Sequence, residues 1–388
     1  MKKPYIVQVA RDATDSGGGR VVFETSQCFI DQGYNVILIT DAQCDNKVES
    51  LDIVYTPLGN KLKKWQAKNK LTKTIRHFFQ ILLFFLFSKA CVRQLDENRV
   101  VINHNLEGNC GDIYVMHNVF NYENKIRTGI IKYFKWCNPV FLFRGIRELC
   151  FLKFARGKVI VAVSKKTLID VIPYCSKENS LLNINNGVNP QYYSYKERNI
   201  SPGKFNLIFV GHQFKAKGLQ FIIESLSYLP DFIQLHIVGG AGSSSKKYID
   251  LVESHGVSGR VHFAGTVLGK ELIEMYHKAD LFVLPSSYET WALVGLESMS
   301  TGLPVLMTNV GGIPEYLEDG YNGFFIKQDG KDISEKIIKL IRDENLYKEM
   351  SINARNTAIA HSWEKGAMQY LEIINEVYDN KKSGANSD

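Results

Sequence analysis

The chain is predicted to fold as two α/β domains in tandem, each a parallel sheet with crossover helices, and three observations predict it. At 388 residues it exceeds one ordinary hydrophobic core. Short apolar runs alternate with longer helix-like stretches in two successive series, with a polar, turn-rich stretch between them. An apolar content of 45% against 22% charged residues belongs to a globular protein with ample side-chain surface to bury, not to a disordered or fibrous one.

The first series runs PYIVQVA (4–10), YNVILIT (34–40), LDIVY (51–55), RVVIN (99–103), DIYVM (112–116) and KVIVAVS (158–164). Each run is short and rich in branched residues, as suits a strand buried on both faces. KERNISPGK (196–204) breaks the alternation with proline, glycine and charge, and reads as the linker. The second series follows with NLIFV (206–210), IQLHIVG (233–239), RVHFAG (260–265), DLFVLP (280–285) and LPVLM (303–307). The expected domains are therefore 1–195 and 196–363, both Rossmann-like, with a cleft between them as the natural ligand site. A final helix over 364–380 is expected to complete the first domain, and the polar tail KKSGANSD to fray.

The net charge of +7 is uneven, at +11 over residues 1–195 and −4 over the remainder. A basic half suits nucleic acid, an anionic membrane face or a phosphorylated substrate, and no zinc finger, RNP-like or helix-turn-helix pattern supports the first. Seven cysteines, odd in number, all in the first half and without metal spacing, fit reduced thiols in a cytoplasm. The first strand begins almost at once, so no secretory signal is expected, and no apolar run reaches the roughly 18 to 20 residues of a spanning helix.

The most informative window is SSYETWALVGLESMSTGLPVL, where a strand gives way to a helix and two carboxylates, Glu289 and Glu297, stand eight positions apart. A ligand arriving there meets unpaired amides at the helix start. Glu289 is expected at the helix start and Glu297 about two turns on, one carboxylate able to face a sugar ring and the other a ribose diol. The alternative is a glutamate favoured by the helix dipole and a second that is merely solvated. After the strand NLIFV, GHQFKAKG brings Lys217 to a helix start, a place the dipole disfavours unless an anion such as a diphosphate is to be held. Gly17, Gly18 and Gly19 are expected as a turn between the first strand and helix, close to a ligand or simply flexible. They are not the GxGxxG dinucleotide fingerprint. His117 follows DIYVM directly, at the carboxyl edge where open parallel sheets bind ligands.

Together these elements resemble family four of the retaining glycosyltransferases, over nearly the whole chain. The resemblance is carried by SGGGRVV, MHNV with His117, VIVAVS ending in Ser164, INNGVNPQYY with Gly187, VGHQFKAKG, HIVGG, VHFAGTV, the Glu-seven-Glu segment and GGIPEYLEDGYNGFFI. It implies the GT-B fold, two Rossmann-like domains facing each other across a cleft. It implies that Lys217 pairs with the donor diphosphate, that Glu297 holds the ribose, and that Glu289, with the amides of Thr290, Trp291, Ala292 and Leu293, faces the transferred sugar. Gly265, Thr266 and Val267 would lie against the base, Gly18 and Gly19 would border phosphates and acceptor, and His117 would touch the sugar near the reacting carbon. Two departures stand out. His212 occupies a place where the family often has arginine, leaving Lys215 to supply a second charge or phosphate binding weaker, and Ala292 replaces a common glycine, narrowing the room beside the sugar.

No Asp-x-Asp triplet occurs, so a metal-independent reaction without cofactor is expected, with basic side chains and helix ends meeting the charge of the leaving diphosphate. On the acceptor side, 61–93 carries nine Lys and Arg with no acid around HFFQILLFFLF, and 125–158 carries nine against one acid, Glu148. Basic residues interleaved with aromatics suit an anionic bilayer surface, while the apolar centre of the first stretch suits a buried crossover helix. The expected function is transfer of a hexose or N-acetylhexosamine from a UDP-sugar to a lipid-linked or lipopolysaccharide acceptor, by a bacterial-type enzyme on the inner face of the cell membrane. A UDP-sugar epimerase of the same architecture and a non-catalytic membrane-associated scaffold remain the alternatives.

Overall fold

The computed structural model describes residues 3–11, 13–14, 17–41, 48–66, 68–121, 138–201, 203–240 and 243–385, and the chain divides into two compact units, 1–185 with 363–388 and 186–362. The break precedes the stretch read as linker. KERNISPGK is no free tether, because the buried Arg198 donates to the carbonyls of Tyr276, His277, Ala279 and Thr301 and so ties the stretch into the second unit.

Unit 1 holds seven parallel strands, β1 (Tyr5–Val9), β2 (Val36–Thr40), β3 (Asp52–Tyr55), β4 (Arg99–His104), β5 (Ile113–Met116), β6 (Val159–Ala162) and β7 (Ser180–Asn183), in the order β3-β2-β1-β4-β5-β6-β7. Among the described residues its crossover helices are α1 (Gly17–Asp31), α2 (Gly59–Lys64), α3 (Lys70–Arg93), α4 (Pro139–Phe154) and α5 (Lys165–Val171). The chain winds outward from β1 to β2 and β3, then returns to its other side at β4, so the β1/β4 boundary is a topological switch point. The sequence reading passed over β7, a four-residue edge strand without a buried residue. The C-terminal helix, Trp363–Ala385, packs on α1, with Phe29 edge-on to Tyr370 at 6.4 Å and the Tyr34 hydroxyl donating to Asn375 at 3.1 Å.

Helix α3 departs from expectation. By length and composition alone Leu71–Arg93 could cross a membrane, with a mean hydropathy of 1.5 over 18 residues. One stripe of it, Phe84, Cys91 and Val92, belongs to the core with Val7, Val9, Ile39 and Val101. Yet only 28% of that window is fully buried: Leu71, Phe79 and Leu86 are exposed, and Ile75, Phe78, Leu82, Leu83, Phe85 and Phe87 are half-buried.

Unit 2 holds six parallel strands, β8 (Phe205–Val210), β9 (Ile233–Val238), β10 (Val261–Gly265), β11 (Leu281–Leu284), β12 (Val305–Thr308) and β13 (Gly323–Ile326), in the order β10-β9-β8-β11-β12-β13. Its helices are α6 (Leu219–Leu226), α7 (Ser243–Ser254), α8 (Gly269–Lys278), α9 (Leu293–Ser300), α10 (Gly330–Arg342) and α11 (Glu344–Ala360). Here the order reverses between β8 and β11, which makes their carboxyl ends the switch point of this sheet.

Candidate functional site

In unit 2 the loops after β8 and β11 meet at that switch point. Lys217 lies in the turn before α6, and its Nζ donates to Glu289 Oε1 at 2.6 Å; the Ser286 hydroxyl donates to the same oxygen at 2.7 Å. Glu289 is buried, so a fixed cation and a hydroxyl compensate its charge where water is scarce. Two glycines permit this closeness. Gly218, the left-handed N-cap of α6, would put a Cβ 2.0 Å from the Pro285 carbonyl oxygen, and Gly311, at φ 58°, would put one 1.4 Å from that of Glu289. A side chain at Gly218 would push the loops after β8 and β11 apart, and one at Gly311 would push the loop after β12 away from the loop after β11.

The other expected donor contacts are placed less uniformly. Glu289 does not open the helix: α9 begins four residues later, at Leu293, and has no side-chain cap. Glu297, in α9, is 2% exposed and accepts from the Tyr276 hydroxyl at 3.3 Å. Lys217 and Glu289 are thus joined in one contact, and Glu297 is held in a separate buried one. The Trp291 ring is packed edge-on to Tyr316 at 5.2 Å, and the Tyr316 hydroxyl donates to the Ala292 carbonyl at 3.1 Å. The side chains of Trp291 and Ala292 are both buried. Thr290 and Leu293 are half-buried. Gly265, at φ 71°, ends β10 after a bulge, with Thr266 exposed and Val267 half-buried beyond it. Lys215 is exposed and makes no ion pair among the described residues. His212 accepts the Gly240 N–H on Nδ1 at 3.3 Å, which links the loop after β8 to the loop after β9.

In unit 1 the glycines differ from expectation, since Gly17, Gly18 and Gly19 form the first turn of α1 and not a free turn before it. Gly18 is exposed with open space around it, whereas Gly19 is buried against the Thr14 backbone. His117 follows β5 as expected, its backbone N–H donating to Asn105 Oδ1 at 2.9 Å. Its ring belongs to a chain of groups that the sequence reading missed. Gln8 Nε2 donates to the Val22 carbonyl at 3.1 Å and to Ser26 Oγ at 2.6 Å, and a carbonyl can only accept, which fixes the amide orientation. Gln8 Oε1 therefore accepts from His104 Nε2 at 2.7 Å, leaving His104 Nδ1 bare to accept from His117 Nε2 at 2.9 Å. Burial lowers the His117 pKa to about 4, and burial followed by the His117 charge pushes His104 well below the usual range. Both imidazoles are neutral at pH 7, and His117 presents a bare Nδ1 that can accept from a hydroxyl.

The family model for glycosyl transferases group 1 matches residues 194–357. The chain is 28% identical over 301 residues to an uncharacterized glycosyltransferase of Methanocaldococcus jannaschii, covering 76% of this chain and 74% of that one. A second such protein of that organism is 25% identical over 59% of this chain, and the chain spans 63% of its length. Among solved structures, sucrose-phosphate synthase from Thermosynechococcus elongatus superposes with a TM-score of 0.79 at 18% identity, over 97% of this chain and 100% of that one. WaaG, a glycosyltransferase involved in lipopolysaccharide biosynthesis, gives 0.73 at 18% over 95% and 99%. Anabaena HepE in complex with UDP-glucose gives 0.67 at 17% over 96% and 100%. These likenesses establish the GT-B fold expected from the sequence.

Proposed function

We propose that the chain is a glycosyltransferase of group 1 that moves a hexose or N-acetylhexosamine from a UDP-sugar to a lipid-linked or lipopolysaccharide acceptor, with retention of configuration and without a metal ion. The observation that carries this reading is the Lys217–Glu289 contact at the switch point of unit 2. A donor diphosphate arriving there competes with Glu289 for the ammonium group, so binding places the anion on Lys217 and frees a carboxylate beside the sugar. As the bond from the anomeric carbon to the diphosphate breaks, the acceptor hydroxyl attacks from the same face and its proton passes to a diphosphate oxygen. Lys217 meets the charge that develops on the leaving group. The bare Nδ1 of His117 suits a sugar hydroxyl and not a phosphate. That a neighbour of the same fold holds UDP-glucose supports a UDP-sugar as donor.

A place on the cytoplasmic face of an anionic membrane is supported by unit 1. Helices α3 and α4 meet through Phe78 and Phe85 against Phe143, and beside that contact Phe79, Leu86, Leu142, Ile146 and Leu149 are exposed. Lys73, Lys89 and Arg93 are exposed along α3, so apolar side chains and cations are offered together. Of the other basic aromatic stretch, 125–158, residues 125–137 lie outside the described residues and Pro139–Phe154 form α4.

Calorimetric titration with a panel of nucleotide sugars tests the reading. A UDP-sugar should bind with EDTA present, Glu297→Gln should lose much of that binding, and Glu289→Gln should keep it and lose turnover. Equal binding and turnover by both variants, or binding that needs a divalent ion, would contradict it.

A further inference from the structure

We infer that unit 1 carries a subsite for a phosphoryl group borne by the acceptor, built from Arg144 and Arg147 of α4 with Asn105 and Asn118 from the carboxyl edge of its sheet. The inference rests on the transferase reading above and names the chemistry of its second substrate. The four residues, with Phe120 and Glu148, line a shallow recess that opens to solvent. Arg144, Arg147 and Glu148 are spaced to share one side of α4, so the carboxylate could in principle cancel a cation. It does not pair with either, because its two oxygens accept the backbone N–H groups of Phe120 and Asn121 and the Asn121 side chain, all at 2.9 Å.

The cations keep unused donors. Arg147 Nη2 donates to the Asn105 carbonyl at 3.2 Å, while its buried Nε and Nη1 have no acceptor among the described residues. Burial brings its pKa down to about 10, which leaves it charged at pH 7. Arg144 makes no ion pair among the described residues and lies over the Phe120 ring at 5.2 Å, as Arg147 lies over Phe85 and Phe143. Aromatic faces hold guanidinium groups in place without occupying their outward N–H donors. The Asn118 side chain likewise has no hydrogen-bond partner among the described residues.

A second observation comes from the backbone. Asn105 and Leu106 are consecutive non-glycine residues in the left-handed region, at φ 51° and 58°. Such a pair is unfavourable and persists where the surroundings impose it. This turn aims the Asn105 carbonyl at Arg147 and its side-chain oxygen at the His117 N–H, so one strained turn positions both the cation and the imidazole. Donors for an oxyanion thus stand next to an acceptor for a hydroxyl, and three phosphoryl oxygens match a lining whose open groups donate.

The test uses the full chain saturated with UDP, so that Lys217 is occupied, titrated calorimetrically with inorganic phosphate and with decyl phosphate below its micellar range. Both should bind, and Arg144→Gln should weaken both by roughly tenfold while leaving UDP affinity unchanged, as loss of a charged donor predicts. Arg156→Gln, an exposed arginine paired with Glu178, should change neither. Tighter binding of decyl phosphate would point to a lipid-borne phosphoryl group, and equal binding to a soluble phosphorylated acceptor; both uphold the subsite. Absence of phosphate binding in the unaltered chain, or equal binding by Arg144→Gln, would overturn it. If UDP itself fails to bind, the donor reading falls, and the same titration on Lys217→Ala without UDP still decides the subsite.

Discussion

Lys217 and Glu289 lie 72 positions apart in sequence and 2.6 Å apart in space, and each restrains the other until a ligand intervenes. Lys217→Met should therefore do two things: weaken diphosphate binding by roughly tenfold or more, and destabilise unit 2 by about 1–3 kcal/mol by leaving a buried carboxylate with Ser286 alone. Titration with UDP and urea unfolding read the two effects separately. The histidine pair sets a pH dependence. Below about pH 6.5 the unfolded chain takes up protons on His104 and His117, while the folded chain refuses one on His117 until about pH 4. More protons on the unfolded state means that stability from this pair falls as pH drops through that window. Buried Glu148, with its pKa raised by desolvation, works in the opposite direction. The readout is accordingly the difference between the unaltered chain and His117→Gln in urea midpoint between pH 7 and 4.5, where the variant should lose less; equal losses would refute the assignment. Lys217, Glu289 and His117 were legible because each stands just beyond an apolar run, where parallel strands end. Gln8, His104 and Ser286 were not, since their roles depend on partners brought by strand pairing, and His104 is the one residue by which β4 outruns the apolar run read for it.

At the scale of elements, nearly every strand was visible as a short apolar run, because both sheets are parallel and covered on both faces. The exceptions have local causes. β7 carries no buried residue, and β13, GFFI, begins on the glycine of an Asn-Gly pair that reads as a turn. The composition of helix α3 suits both a buried crossover helix and a membrane-facing one, because composition cannot say how much of a helix its neighbours cover. Its exposed face carries an element-level prediction. Leu86→Glu with Ile146→Glu should abolish most binding to anionic vesicles at low salt, with stability changed by less than about 1 kcal/mol because both side chains are already exposed. Unaltered cosedimentation would remove the membrane from the proposal. The loop after β12 carries another. Gly311→Ala requires a left-handed alanine and drives a Cβ into the Glu289 carbonyl, so it should cost more than about 2 kcal/mol and displace Glu289. Thermal unfolding together with UDP-sugar turnover checks it.

At the scale of the whole molecule, each unit owns a sheet and a core, so calorimetric unfolding need not be two-state. The chain nevertheless closes unit 1 with its last helix. Removing residues 363–388 would expose faces covered by Ala367, Tyr370, Leu371, Ile374 and Tyr378, all buried. At roughly 1.5–3 kcal/mol for each large side chain, unit 1 should lose more than about 5 kcal/mol and unit 2 little. Hydrogen exchange on the truncated chain should show protection lost over β1 and α1 and kept over β8 and β11; uniform loss would contradict the division. The sequence by itself determined the α/β class, the two series of strands, the transferase family motifs and the basic character of the first half, because periodicity, turn residues and charge are local properties of the chain. Only the tertiary structure decided that Glu289 rests on Lys217, that Glu297 is buried against Tyr276, that His117 is oriented through His104 by Gln8, and that two arginines of α4 keep donors unused. Those outcomes depend on which residues strand order and register bring within hydrogen-bond reach, and no window of sequence contains both partners.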